Sequence, residues 1–187
     1  MTPADETMRF AYADPPYLGC CALYAHHHPD NRCWDVVATH EALVARLVEE
    51  YPDGWAMSAS SVTLHTLLRV CPKDVRIAAW CKSFCAFKKG VRPAYAWEPV
   101  IFWHGRNPNA GHPHPPPPKG GKQTTPKDFI VEPITLRKGL TGAKPAKVCD
   151  WILDLLGFRP GDECADLFPG TGAMGAAVLR RHSACTG

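Results

Sequence analysis

Segments with strand-like and helix-like patterns alternate along most of this chain, and that alternation restricts the fold more than any other feature. Apolar runs typical of strands cover residues 8–13, 55–60, 75–80, 96–105 and 162–168. Apolar residues at helical spacing cover residues 39–51, 61–71, 145–157 and 173–181. The pattern predicts an α/β fold with about five strands joined by crossover helices. No helical segment separates the third strand from the fourth, so the fourth could run antiparallel to its neighbours.

Local signals mark the ends of two helices. Thr39 is a plausible N-cap for the first helix, and Pro52-Asp53-Gly54 ends it. Pro145 favours a helix start, and Gly157 favours the end of that same helix. Apolar residues at helical spacing place one apolar face on each of these helices, so both are expected to be amphipathic and to cover the sheet.

Length and composition favour one intracellular domain. The chain has 187 residues, 45% of them hydrophobic, which suits a single core spanning residues 1–187. No secretory leader and no run long enough to cross a membrane is visible, so we expect a cytoplasmic location and reduced thiols. Of the 9 cysteines, Cys71, Cys149 and Cys164 lie in apolar contexts and are interpreted as small core residues. The net charge of +3 permits a polyanionic partner without requiring one.

A proline-rich segment interrupts the alternation. Residues 105–127 show no apolar periodicity, and their proline run favours an extended, solvated backbone. We treat residues 105–140 as an inserted arm. Its basic side chains favour either a solvated loop or an arm that follows a nucleic-acid backbone with little base readout. These side chains include Arg106, Lys119, Lys122 and Lys127.

The tetrapeptide Asp14-Pro15-Pro16-Tyr17 ends the first strand in an unusual way. Each proline fixes its own backbone and keeps the preceding residue extended, so the carbonyls of Asp14 and Pro15 project in set directions. A carboxylate and a carbonyl held in this way can accept both hydrogen bonds of one amino group, and Tyr17 can stack on the ring that carries it. The simpler interpretation is a rigid turn with a solvated aspartate.

A glycine-rich turn, "DLFPGTG", joins the last strand to the last helix. Gly170 and Gly172 allow the backbone to approach a ligand closely, and the helix N-terminus offers unpaired N–H groups. Such turns are common, so this one alone gives only weak support for a nucleotide-like ligand.

Together these segments carry a family resemblance. "DPPY" resembles motif IV of the methyltransferases that act on exocyclic amines of nucleic-acid bases, and "DLFPGTG" resembles their S-adenosylmethionine motif I. Motif IV precedes motif I here, as in the circularly permuted β class of DNA amino-methyltransferases and the related messenger-RNA adenosine methylases. "GLTGAKPAKVCDWILDLLG" is similar to the motif X helix, "AAWCKSF" to a strand bearing Trp-x-Lys, and "AWEPVIFWHG" to the Glu-bearing strand after it.

The resemblance implies a Rossmann-like fold, S-adenosylmethionine as cofactor and a set of site residues. The target amine and its ring would be held by Asp14, Pro15, Pro16 and Tyr17. The cofactor would be bound by Asp14, Lys144, Asp166, Phe168, Gly170, Thr171 and Gly172. Nucleic acid would be contacted by His26, His27, Lys82, Arg106, Lys119 and Lys122. The reaction would need no metal and no covalent enzyme intermediate.

Two groups of residues have competing interpretations. Cysteines and histidines crowd the loop after Tyr17, but no ligand spacing typical of zinc is present, so we expect no metal site. His26, His27 and His28 could form an active-site lid or a phosphate-contacting loop, or a solvated loop. Trp80, Trp97 and Trp103 lie on predicted strands, which favours a place in the core.

The sequence departs from the family pattern after the glycine turn. Only one helix follows, and no acidic residue occurs beyond Asp166 to bind the cofactor ribose. We expect either a differently built adenosine pocket, completed by another subunit, or weak cofactor binding. Self-association or a partner subunit would cover the open sheet edge.

The function that the resemblance implies is methyl transfer to adenine N6 in DNA, in a prokaryotic or phage-encoded enzyme. Cytosine N4, adenine in RNA, and a catalytically weak accessory subunit that binds nucleic acid are the alternatives.

Overall fold

The computed structural model describes residues 7–24, 31–85, 89–106, 125–135 and 143–184. The strands are β1 (Arg9–Ala13), β2 (Gly54–Ser58), β3 (Arg76–Cys81), β4 (Trp97–His104), β5 (Phe129–Val131) and β6 (Glu163–Asp166). The helices are α1 (Val37–Glu50), α2 (Leu64–Leu67), α3 (Ala146–Leu156) and α4 (Ala173–Ser183). Two 3₁₀ turns, Cys21–Tyr24 and Asn31–Asp35, precede α1.

The six strands form one sheet in the order β5-β3-β4-β2-β1-β6. β1 lies parallel to both β2 and β6, and β3 lies parallel to β5. β4 runs antiparallel to β2 and β3, which confirms the expected exception. The sheet has one strand more than the sequence predicted, because β5 falls inside the segment 105–140 that we interpreted as an arm.

Helices cover the two faces of the sheet. α3 and α4 pack on one face, where Phe10, Trp80 and Phe102 point inward, and α1 packs on the other face over Trp55 and Met57. α3 begins directly after Pro145 and ends at Gly157, whose positive φ of 68° is the left-handed conformation that glycine adopts most readily. The two predicted ends of this helix are confirmed.

Several sequence interpretations need correction. α2 has only four residues instead of the predicted eleven (61–71), since the β-branched residues at both ends disfavour a longer helix. Thr39 lies inside α1, and its hydroxyl donates to the Cys33 carbonyl instead of capping the helix. Trp97 is 39% exposed and is not a core residue, whereas Trp80 is buried and Trp103 packs against the α1 face.

The three cysteines predicted as core residues all pack against apolar side chains. Cys149 is buried, and Cys71 and Cys164 are half-buried at the edges of the two clusters. No helix in the described part of the chain is long and apolar enough to cross a membrane.

A buried ion pair joins the end of β4 to the turn before β6. The Asp162 carboxylate is 3% exposed and accepts from the Arg106 guanidinium at 2.6 Å, from the Met8 amide at 3.0 Å and from the Arg159 amide at 2.7 Å. Arg106 Nε also donates to the Gly157 carbonyl at 3.3 Å. The side chain of Arg106, which we predicted to contact nucleic acid, thus binds Asp162 and Gly157 within the fold.

Candidate active site

The carboxyl ends of β1 and β6 place the two sequence motifs beside each other. Tyr12 of β1 is in register with Asp166 of β6, and the Leu167 amide donates to the Tyr12 carbonyl at 3.0 Å. Asp14 therefore follows β1 at the same sheet edge where the glycine turn follows β6. Carboxyl ends of neighbouring parallel strands are the usual place for a ligand site in open α/β sheets.

Within the tetrapeptide, both prolines are buried and the two polar side chains meet. Tyr17 donates its hydroxyl hydrogen to a carboxylate, with Asp14 Oδ1 at 3.2 Å and Glu98 Oε2 at 2.7 Å. The Asp14 side chain is 20% exposed, so the simpler interpretation of a freely solvated aspartate is wrong. The turn instead presents a largely buried carboxylate beside an aromatic ring.

Lys144, which lies two residues before the start of α3, binds the Asp14 carboxylate. Its Nζ lies 2.8 Å from Asp14 Oδ1 and 2.7 Å from Asp14 Oδ2, and it lies 3.1 Å from the Tyr17 hydroxyl. Only 6% of its side chain is exposed. The ammonium group thus covers both oxygens of the aspartate in this structure.

A second carboxylate and a second lysine complete what we call the charged cluster: Asp14, Lys82, Glu98 and Lys144. Glu98 Oε1 lies 2.6 Å from Lys82 Nζ, and Glu98 Oε2 lies 3.6 Å from Lys144 Nζ. Both side chains of the Lys82–Glu98 pair are less than one fifth exposed, at 12% and 16%. Two positive and two negative charges therefore balance in a largely dry site.

The pKa values of the cluster follow from burial and charge pairing. Burial raises the pKa of the Asp14 carboxyl, and the Lys144 ammonium opposes that rise. Burial alone would lower the pKa of Lys144, but the carboxylates of Asp14 and Glu98 outweigh it and raise the pKa well above its usual range. Burial would likewise raise the pKa of Glu98, but Lys144 and Lys82 lower it overall. The charged forms of Lys144 and Glu98 are thus both stabilised near neutral pH.

The glycine turn forms the other side of the site. Gly170 and Gly172 have φ values of 47° and 74°, in the left-handed region that favours glycine, and a Cβ at Gly172 would meet no atom within 4 Å. Thr171 lies between them, and Gly172 directly precedes α4. Asp166 precedes the turn, and burial, followed by the nearby charge of Asp14, raises the pKa of its carboxyl. The turn leaves open backbone and one carboxylate for a ligand.

Phe168 extends the site toward the α1 face. Its ring centroid lies 5.2 Å from that of Trp34 in a T-shaped contact, and Trp34 in turn contacts His40. Both Phe168 and Trp34 are half-buried, so they form an aromatic wall beside the glycine turn. Trp34 was not among the predicted site residues, and nothing in its local sequence signals this position.

The structure also brings in Glu98, whose segment the sequence analysis matched to the Glu-bearing strand of the family without assigning the residue a role. Glu98 faces the same side of β4 as Val100 and Phe102, because side chains alternate along a strand. An acid at an inward position of an apolar strand is the signal that could have identified it.

Lys82, predicted to contact nucleic acid, instead points into the cluster and lies 5.0 Å from the Trp80 ring centroid. The remaining predicted nucleic-acid contacts, His26, His27, Lys119 and Lys122, lie outside the described residues. Among the residues that the structure does describe, no three His, Cys, Asp or Glu side chains are grouped to hold a metal ion.

Comparison with solved structures identifies the fold. The complex of M1.HpyAVI with S-adenosylmethionine superimposes with a TM-score of 0.56 and 15% identity, over 96% of this chain and 80% of that chain. TTHA0409 from Thermus thermophilus, a candidate DNA modification methylase, gives a TM-score of 0.54 and 15% identity, also over 96% and 80%. No family model and no curated protein matches the chain. The protein therefore has a Rossmann-like α/β fold of the kind found in S-adenosylmethionine-dependent methyltransferases.

Proposed function

We propose that this protein transfers a methyl group from S-adenosylmethionine to the exocyclic amine of a base in nucleic acid, with adenine N6 in DNA as the substrate. One observation carries the proposal: the Asp14–Tyr17 turn and the glycine turn lie at adjacent carboxyl ends of the parallel strands β1 and β6. The two solved structures with this fold, one named as a complex with S-adenosylmethionine and one as a candidate DNA modification methylase, support it.

The chain offers groups that suit this cofactor. The open backbone at Gly170 and Gly172 allows close approach of the methionine portion, and Asp166 can accept from its ammonium group. Phe168 supplies an aromatic face at the same edge. The cofactor brings a methyl group activated on a sulfonium sulfur.

The tetrapeptide would prepare the amine. Asp14 and the Pro15 carbonyl accept its two hydrogens, which leaves the nitrogen lone pair directed away from both acceptors, toward the methyl group. Tyr17 stacks on the extruded base. As the N–C bond forms and the C–S bond breaks, the sulfur would leave as a neutral thioether and positive charge would develop on the amine; the Asp14 carboxylate would stabilise that charge until the nitrogen releases a proton to water.

The order of the motifs supports assignment to the circularly permuted β class, since the amine-binding strand comes first in the chain and the cofactor strand last. Self-association at the β6 edge, contacts from the proline-rich arm and a single domain over residues 1–187 all stay predictions.

A methylation assay tests the proposal. The protein is incubated with methyl-labelled cofactor and unmethylated DNA or RNA, and the digested nucleosides are analysed by mass spectrometry. We expect N6-methyl-2′-deoxyadenosine from DNA. Methylation of cytosine N4, or methylation of RNA alone, would identify a different substrate from the one proposed. If no base is methylated and calorimetry detects no cofactor binding, the enzyme assignment is overturned.

Two variants locate the site. Asp14→Ala should abolish transfer while the protein stays folded by circular dichroism and still binds the cofactor, although its melting temperature should fall because Lys144 loses its buried partner. Asp150→Ala removes a carboxylate that pairs with Arg180 on the outer surface and serves as the matched control, with activity unchanged. Activity retained in the Asp14 variant would show that the site is elsewhere.

A further inference from the structure

The position of Lys144 raises a problem for the proposed reaction. Its Nζ lies 2.8 Å and 2.7 Å from the two oxygens of Asp14, so it is nearly equidistant from both and lies in front of the carboxylate. The target amine must donate to this same carboxylate. Lys144 and the amine therefore compete for one acceptor.

Charge adds to the steric conflict. The amine becomes positively charged as the methyl group is transferred, and an ammonium group about 4 Å away in a largely dry site repels that charge strongly. Lys144 cannot lose its own charge readily, because Asp14 and Glu98 raise its pKa. The lysine must therefore move as an ammonium ion, and it needs another anion to receive it.

Glu98 is placed to be that anion. Its Oε2 lies 3.6 Å from Lys144 Nζ, slightly beyond hydrogen-bond distance, so a short side-chain movement would form a direct hydrogen bond. Lys82 at 2.6 Å and the Tyr17 hydroxyl at 2.7 Å already fix the Glu98 carboxylate in position. Glu98 is 16% exposed, so water competes little for it.

We infer that Glu98 is a positioning residue that receives the Lys144 ammonium group when the target amine replaces it on Asp14. The inference rests on the proposed methyl transfer. Before substrate binds, Lys144 neutralises the buried Asp14 carboxylate. After the exchange, Asp14 binds the amine, Lys144 binds Glu98, and the cluster keeps its balanced charge.

Turnover kinetics with three variants test this exchange. Glu98→Gln keeps an oxygen that can accept from Tyr17 but removes the charge, and we expect kcat to fall about tenfold or more while the cofactor Kd changes less than about twofold. Glu98→Asp retains the charge and should recover part of the lost kcat. Glu132→Gln, which neutralises a carboxylate paired with Lys147 outside the cluster, is the control and should leave kcat unchanged.

A double-mutant cycle separates this role from a structural one. With Lys144→Gln as background and saturating cofactor, Glu98→Gln should change kcat less than about twofold, because no ammonium group is left to be received. If Glu98 only supports Tyr17 and Lys82, its substitution will lower kcat equally in both backgrounds, which would overturn the inference.

A crystal structure with S-adenosylhomocysteine and a bound adenine base gives a readout that needs no turnover. We expect Lys144 Nζ within about 3.2 Å of Glu98 and beyond hydrogen-bond distance of Asp14. If the wild type is active but Lys144 still covers Asp14 in that complex, only the exchange is refuted. If the wild type methylates no base, the proposed function fails and the exchange fails with it.

Discussion

The ion pair between Arg106 and Asp162 provides the sharpest test of how the fold is held together. Asp162→Asn keeps the size of the side chain but removes its charge and turns one acceptor oxygen into a donor. In the wild type three donors, the guanidinium and two backbone amides, approach this carboxylate at 2.6 Å to 3.0 Å. Whichever way the amide is oriented, at least one of these donors loses its acceptor.

The size of the effect follows from burial. The side chains of Asp162 and Arg106 are 3% and 16% exposed, so the substitution leaves a largely buried guanidinium without its counter-charge. Breaking a buried pair in this way destabilises a protein by about 3 to 5 kcal/mol. For a chain of this length the midpoint of thermal unfolding should fall by at least about 6 °C.

Urea denaturation followed by circular dichroism measures this loss directly. Asp154→Asn is the matched control, because Asp154 is 47% exposed and pairs with a half-buried Arg181 on the outer helices. Its free energy of unfolding should change by less than about 1 kcal/mol. If Asp162→Asn loses no more than Asp154→Asn, the pair does not stabilise the fold, and Arg106 becomes available again as a nucleic-acid contact.

Three further predictions concern single residues. Gly54→Ala should lower the free energy of unfolding by at least about 2 kcal/mol, because its Cβ would lie 2.5 Å from a backbone nitrogen, whereas Gly175→Ala, with open space, should raise it by about 1 kcal/mol in urea titrations. Burial lowers the pKa of His40, so the unfolded chain binds a proton more readily than the folded chain does. The free energy of unfolding should therefore fall below about pH 6.5, by at most about 1.4 kcal/mol per pH unit. A His40→Phe variant whose free energy of unfolding shows the same dependence on pH would contradict this. Tyr17→Phe keeps the stacking ring and should retain more methylation activity than Tyr17→Ala, which should lose about tenfold or more in the same assay; equal losses would exclude stacking as the role of the ring.

The sequence was most informative where local chemistry decides the structure. Pro145 and Gly157 set the ends of α3 through their own backbone preferences, and the apolar runs of β1, β2 and β4 needed no distant partner to be recognised. β5 was missed because three residues contain too little pattern, and its strand geometry comes from pairing with β3. The four-residue α2 shows the opposite error, where periodicity suggested more helix than the flanking residues support.

The partners of the site residues could not be predicted, because they depend on contacts between distant parts of the chain. Asp14 and Lys144 are 130 residues apart, and Tyr17 and Glu98 are 81 residues apart. No local pattern links them; only the order of strands in the sheet does. Lys82 and Arg106 show the same limit: the family resemblance suggested that both contact nucleic acid, yet both bind buried carboxylates.

Burial explains why an amine-binding carboxylate should have a lysine beside it at all. A dry site strengthens the hydrogen bonds that Asp14 can offer to an amine, but the same desolvation raises the pKa of the carboxyl and favours its neutral form. A protonated Asp14 would be a weaker acceptor of the amine's hydrogen bonds and could not stabilise the positive charge that develops on the amine. In the proposed exchange, the Lys144 ammonium opposes that rise in pKa before substrate binds, and Glu98 receives the lysine when the amine arrives. On this proposal, the lysine that covers Asp14 is a physical consequence of placing a strong hydrogen-bond acceptor, the Asp14 carboxylate, out of water.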